Sequence, residues 1–305
     1  MRVFVTGASG WIGSAVVPEL IGAGHQVVGL ARSDDSANAL AAAGAEVHRG
    51  SLDDFDGLGA AAAASDGVIH LAFKHDLAFS GDFGGAVGAD RLAIEALGDA
   101  LAGSGRPFVI ASGTTGLAPG RVATEEDGRT AEPGTAGAVE GRMDNARLVM
   151  ALADRGIRTV VLRLPPTVHG DGDNGFVPTQ IGIARDKGVS GYVGDGANRW
   201  PAVHRADAAR LFRLAVEKAP AGSTLHAVDD EGVPVREIAE LIGRHLDIPA
   251  VSVAPEDAAT HFGWLGGFLA ADVAASSAAT QDLMGWHPAG PGLIEDLDKG
   301  HYFHG

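Results

Sequence analysis

Short apolar runs and stretches of helical spacing alternate along the first half of this chain. Runs of mostly β-branched, aliphatic and aromatic residues predict strands at 2–6, 26–30, 67–71, 107–111 and 158–163, with a weaker one at 45–48. Between them, apolar residues recur at helical spacing over 11–23, 34–43, 88–103 and 140–155. The strands are near-continuous apolar runs, as strands covered on both faces must be, so a parallel sheet lies between helices. After Pro165-Pro166 the rhythm breaks into helices and short strands, with helices at 176–187, 205–217, 234–246, 255–261 and 291–299. The fold class is therefore α/β: a doubly wound parallel Rossmann sheet followed by a smaller C-terminal lobe. The division falls at 1–164 and 165–305, with parts of the second returning to the first. The stretch 117–137 is rich in Gly, Pro, Thr and acidic residues and is expected to loop over the site.

The first strand runs straight into Gly7, Gly10 and Gly13 and then into a helix. This is the setting a dinucleotide fingerprint requires: one glycine for the tight turn, one for close approach of the pyrophosphate, one for strand–helix packing. Free N–H groups at the positive end of the helix would then hold the phosphates. An acid gripping a ribose 2′-hydroxyl belongs at the end of the second strand, but the chain there reads Leu30-Ala31-Arg32-Ser33. A guanidinium pairs with a 2′-phosphate by charge-assisted hydrogen bonds, so NADP is expected over NAD.

Composition narrows the partners. The 305 residues are 46% hydrophobic, enough for a sizeable core, and the net charge of −16 argues against nucleic acid or an anionic membrane. There is no cysteine, which removes disulfides and thiolate catalysis. The first strand begins at once without a leader pattern, and no apolar run reaches a membrane span, so a cytoplasmic location is expected. The 12 histidines show no metal-ligand spacing and no G-x-S-x-G elbow occurs, so neither a metal nor a serine hydrolase is assigned.

Several motifs together resemble the extended short-chain dehydrogenase/reductase family, which contains nucleotide-sugar epimerases and dehydratases. They are Thr6-Gly7-Ala8-Ser9-Gly10-Trp11-Ile12-Gly13, Gly50-Ser51-Leu52-Asp53, His70-Leu71-Ala72, Val109 to Thr114, Leu162 to Gly170, and Val203 to Ala209. The resemblance spans nearly the whole chain. It implies a cofactor held by Thr6, Gly7, Ser9, Gly10, Trp11, Ile12, Gly13, Arg32, Ser33, Ser51, Leu52, Leu71, Ala72 and Pro165.

The chain departs from the family where the chemistry lies. The family's Tyr acid/base and its Lys four residues later fall on Gly137 and Gly141, no Y-x-x-x-K occurs, and the only tyrosines are Tyr192 and Tyr302. Trp200 stands where epimerases carry a diphosphate-binding Arg, with Arg199 beside it still able to reach a phosphate, and Thr167 replaces an Asn near the sugar. The resemblance places the catalytic hydroxyl on Thr114, with Ser112 alongside. Lys74, His75, His169 and Tyr192 are candidates to replace the Tyr as proton donor, and Glu140 and Arg142 flank the missing pair. The expected function is an NADP-dependent reductase of a small ketone, aldehyde or imine, acting as monomer or homodimer. Its rivals are a catalytically silent NADP-binding regulator and a nucleotide-sugar epimerase or dehydratase.

Overall fold

Strand and helix alternate as the apolar pattern requires. The computed structural model describes residues 1–130 and 138–304. In order come β1 (Arg2–Thr6), α1 (Gly13–Gly22), β2 (Gln26–Ala31), α2 (Asp34–Ala42), β3 (Glu46–Arg49), α3 (Phe55–Ala63), β4 (Gly67–His70), α4 (His75–Phe79), α5 (Phe83–Leu101), β5 (Pro107–Gly113), α6 (Ala138–Ala151) and β6 (Arg158–Leu164). Then follow β7 (Thr167–His169), α7 (Phe176–Lys187), β8 (Ser190–Val193), β9 (Arg199–His204), α8 (Arg205–Lys218), β10 (Ser223–His226), β11 (Asp230–Pro234), α9 (Val235–Leu246) and β12 (Ala250–Val253). The chain ends through α10 (Ala258–Phe262), α11 (Gly266–Leu269), α12 (Ala278–Met284) and α13 (Leu293–Asp298).

The main sheet has seven parallel strands in the order β10-β6-β5-β4-β1-β2-β3. Alternate residues of β1 face opposite layers: Val3 and Val5 join the core with α1, α2 and α8, while Phe4 joins the core with α3, α5 and α6. Both faces are therefore covered, which is why β1 reads as an unbroken apolar run. Past β6 the chain builds a three-stranded sheet, β11-β9-β7, and a pair, β12-β8. Two segments return to the first part: β10 extends the main sheet beside β6, and α8 packs on α1.

Local readings change at α3, α4 and α12, helices where the sequence predicts none, and in the stretch after β5. Helix α3 lies in a stretch where no element is expected from sequence; Gly57 and Gly59 weaken its propensity. Asp54 caps it by accepting from the Gly57 N–H, and Leu58, 1% exposed, packs it into the α5 layer. The stretch 117–130 is irregular as expected but does not line the cavity. Leu117, Ala118 and Ala123 pack on Val228 and Ala275, and Ala123 bridges to Ala275. Residues 131–137 lie outside the described residues. Among the described residues no helix is long and apolar enough to cross a membrane.

Candidate active site

A cavity of about 1240 Å³ opens over the carboxyl ends of the parallel strands, where doubly wound sheets bind ligands. Its floor begins at the glycine turn. Gly7 has φ +66°, and a Cβ there would sit 2.7 Å from the Ala72 nitrogen. A Cβ on Gly13 would sit 2.1 Å from the Gly7 oxygen, so β1 and α1 pack at a distance only glycine permits. Gly10 is looser: its Cβ would meet only the Gly7 oxygen, at 3.2 Å. No side chain caps α1 at Ile12, and Gly10, Trp11, Ile12 and Gly13 all line the cavity. An uncapped helix N-terminus facing a cavity over bare glycines fits a pyrophosphate.

The other cofactor candidates surround the same space. Ser9, Arg32, Ser33, Ser51, Leu52, Leu71, Ala72 and Pro165 all line it. The Arg32 side chain is 73% exposed and lies 3.5 Å from Asp76. Ser33 and Ser36 form a capping box at the start of α2, and both line the cavity beside Arg32. The Trp11 indole donates to the Val168 carbonyl (2.8 Å) and carries the Arg205 guanidinium 4.1 Å above its ring. Thr6 is the exception, fully buried beneath the turn. Its Oγ1 lies 2.7 Å from His70 Nδ1 and accepts from the Ala72 N–H at 3.3 Å, tying β1 to β4.

Of the chemical candidates, the structure brings Ser112, Lys74 and His75 to the cavity and leaves three outside it. Lys74 Nζ sits 2.7 and 2.8 Å from the two Asp53 carboxylate oxygens. His75 stands edge-on to Phe73, and burial together with Arg142 lowers its pKa. Thr114 is 1% exposed behind the wall, and its hydroxyl has no hydrogen-bond partner among the described residues; Gly113 and Thr115 line the cavity in its stead. His169 is fully buried, with Nδ1 3.0 Å from an Asp296 oxygen and its ring against His204. Burial lowers its pKa despite Asp296. Tyr192 belongs to β8, with the Arg236 guanidinium 5.5 Å from its ring, away from the cavity.

At the missing Tyr/Lys pair, Gly137 lies outside the described residues. Gly141 faces α5, where a Cβ would come within 2.9 Å of Val87. The next residue, Arg142, lines the cavity. Its guanidinium donates to the Ala111 carbonyl (3.1 Å) and lies 4.3 Å over the Phe73 ring. Beneath it runs a buried chain. His70 Nε2 is 3.1 Å from Asp90 Oδ1, and Asn145 donates to Asp90 Oδ2 at 2.8 Å. Burial would raise the Asp90 carboxyl, yet His70, Arg142 and Asn145 hold it below its usual range.

Sequence reading missed Asp173, which lines the opposite side. It accepts from the Gly175 N–H (2.7 Å) and from the Tyr302 hydroxyl (3.1 Å), and burial raises its carboxyl. The only signal was its place three residues after the Gly170 that ends the sixth-strand motif; Tyr302, from the far end of the chain, gave none. Arg199 does not reach the cavity. Asp272 takes it by two prongs, Nε to Oδ1 at 3.0 Å and a terminal nitrogen to Oδ2 at 2.8 Å. Trp200 is 2% exposed and backs the wall rather than forming it.

The family model for the NAD dependent epimerase/dehydratase family matches residues 3–228. An uncharacterized protein of Schizosaccharomyces pombe is 47% identical over 306 residues, covering 99% of this chain and 100% of that one. The 2-alkyl-3-oxoalkanoate reductase of Stenotrophomonas maltophilia is 30% identical over 268 residues, covering 83% of this chain and 78% of that one. Among solved structures, UDP-glucose 4-epimerase with UDP-glucose from Thermotoga maritima superposes with a TM-score of 0.76 at 20% identity, covering 99% of this chain and 98% of that one. At that identity the likeness is one of fold.

Proposed function

This chain belongs to the NAD dependent epimerase/dehydratase family, and from that premise we propose that it is an NADP-dependent reductase of a small carbonyl-type substrate, a ketone, aldehyde or imine. The observation that carries the reading is the exposed Arg32 at the cavity edge, with Ser33 and Ser36 beside it and Ala31 where a carboxylate would repel a 2′-phosphate. The bound cofactor would supply the hydride at its nicotinamide ring. The protein's own groups would supply orientation and the proton. Ser112 donates a hydrogen bond to the carbonyl oxygen from the end of β5. Arg142 stabilises the negative charge that develops there, in place of the absent Tyr and Lys. His75, when protonated, delivers the proton to that oxygen; burial and Arg142 lower its pKa, so that form belongs to the acid side of the ordinary histidine range. Lys74, held by Asp53, shapes the edge of the site rather than donating.

The relatives include reductases and epimerases, so substrate class must come from this chain's own site. Arg199, locked on Asp272, counts against a sugar diphosphate. The test is a titration of NADPH and NADH into the parent and Arg32→Ala, followed by a panel of ketones, aldehydes and imines. Arg32→Ala should weaken NADPH by roughly 10- to 100-fold, the loss of one charged hydrogen-bonded pair, and change NADH little. Equal weakening of both would remove the NADP assignment. Tight NADPH binding without consumption across the panel would replace the reductase by a silent NADP-binding regulator.

A further inference from the structure

The roof of the cavity differs in chemistry from its floor. Phe176, the first residue of α7, has its ring centroid 5.6 Å from Trp200, 5.6 Å from Trp264 and 5.2 Å from Phe268. Trp264 and Phe268 meet nearly edge to face, at 5.9 Å and 78°. Trp200 backs the group from the core, while Phe176, Trp264 and Phe268 line the cavity. Leu265 and Leu269, at most 1% exposed, root the segment that carries Trp264 and Phe268 in a second-lobe core. The roof is therefore anchored, yet Trp264 stays 51% exposed. A large aromatic half exposed at the lip of a cavity marks a binding surface rather than a core.

Charge tells the same story. Among the described residues lining the cavity, the arginines and lysine are Arg32, Lys74 and Arg142, carried by the first part of the chain and not by the roof. Arg199, the cation beside Trp200, is occupied by Asp272. Asp173, three residues before Phe176, lines the same cavity among the described residues, and its carboxylate would repel an anion. We propose that this aromatic wall binds a ring: the substrate is an uncharged carbonyl compound with an aromatic group that packs against Trp264, Phe268 and Phe176. The inference rests on the reductase reading for the reacting group but not for the ring. Tilted ring pairs at these distances are the arrangement aromatic side chains favour, so an incoming ring extends an existing cluster.

Three ketones that differ only in the far group test this: 4-phenyl-2-butanone, 4-cyclohexyl-2-butanone and 2-butanone, with the NADPH-loaded protein. Binding is read separately, by calorimetry of 4-phenyl-2-butanol into the protein loaded with NADPH, a pair between which no hydride can pass. KM should be lowest for the phenyl ketone, about tenfold or more below that of 2-butanone. Trp264→Ala should raise that KM and the alcohol's Kd about tenfold and leave kcat within about twofold, while Trp264→Phe restores most of the loss. Trp264 is half exposed, so the variants should fold, which a thermal melt checks. Equal KM for the three ketones, or no response of the alcohol's Kd to Trp264→Ala, overturns the ring. Alcohol binding that depends on Trp264 with no ketone consumed supports the ring and removes the reductase. Turnover of 2-butanone with no preference for the phenyl ketone does the opposite.

Discussion

At the scale of single residues, the three glycines of the turn have separable duties. A Cβ on Gly13 would overlap the Gly7 carbonyl and the Ala8 backbone, whereas one on Gly10 meets a single atom at 3.2 Å. Gly13→Ala should therefore destabilise the fold by several kcal/mol, on the order seen for overpacked cores. Gly10→Val should stay folded and lose NADPH, because its side chain occupies the phosphate's approach. Thermal melts and NADPH titrations on the two variants separate the effects; a Gly10→Val protein that binds normally would move the phosphate elsewhere. His75 makes a second residue-scale prediction. Burial and Arg142 lower its pKa, so its protonated form is lost as pH rises through a value below the ordinary histidine range near 6.5. At saturating substrate the rate should fall over that range and stay low above it, and His75→Gln should flatten that limb of the pH profile.

At the scale of elements, the irregular stretch after β5 is held by charge rather than by regular hydrogen bonding. Asp127 pairs with Arg121, accepts from the Thr124 N–H at 2.8 Å, and offers its own carbonyl to Arg163 at 2.7 Å. The Arg121 pair holds its carboxyl down at about 2, against about 3.9 when unfolded, and its side chain is only 16% exposed. A depressed carboxyl contributes stability above its unfolded pKa and loses it as pH falls through its folded one. Asp127→Asn should therefore cost about 1–2 kcal/mol at pH 7, and the gap from the parent should close between about pH 4 and pH 2. Urea unfolding across that range reads it; a gap that persists at pH 2 would assign the loss to the backbone bonds instead. Helix α3 makes the converse point. Its two glycines lower its helix propensity and its alanine run carries no apolar period, so the Asp54 cap and the α5 layer beneath Leu58 are what fix it as a helix.

At the scale of the whole molecule, residues from both parts of the chain meet in one of its core clusters. Trp286, near the C-terminus and 1% exposed, packs in the same cluster as Val3, Val5 and Phe212, and its indole donates to the Asp207 carbonyl at 3.1 Å. Trp286→Ala should cost about 3–5 kcal/mol and lower stability in a single transition, with tryptophan fluorescence and NADPH binding lost at the same denaturant concentration. Two separated transitions would mean that the lobes fold independently. The sheet, its covered faces and the glycine turn were legible in the sequence because each is written in adjacent residues: apolar runs of strand length, and three glycines between a strand and a helix. The direction in which each candidate side chain points was not legible. Thr114 and Thr115 are neighbours with similar chemistry, and only the packing of β5 against β6 turns the first inward and leaves the second at the cavity. His169 looked like a donor from its motif, but α13, more than a hundred residues on, brings Asp296 to it and buries it. Asp173 with Tyr302, Arg142 above Asp90, and the roof around Phe176 are likewise assembled from distant elements. Local sequence determined the elements and the glycine turn, because their causes are local sterics and periodicity. Tertiary packing decided which polar groups face the cavity, because burial and partners belong to pairs of residues far apart in the chain.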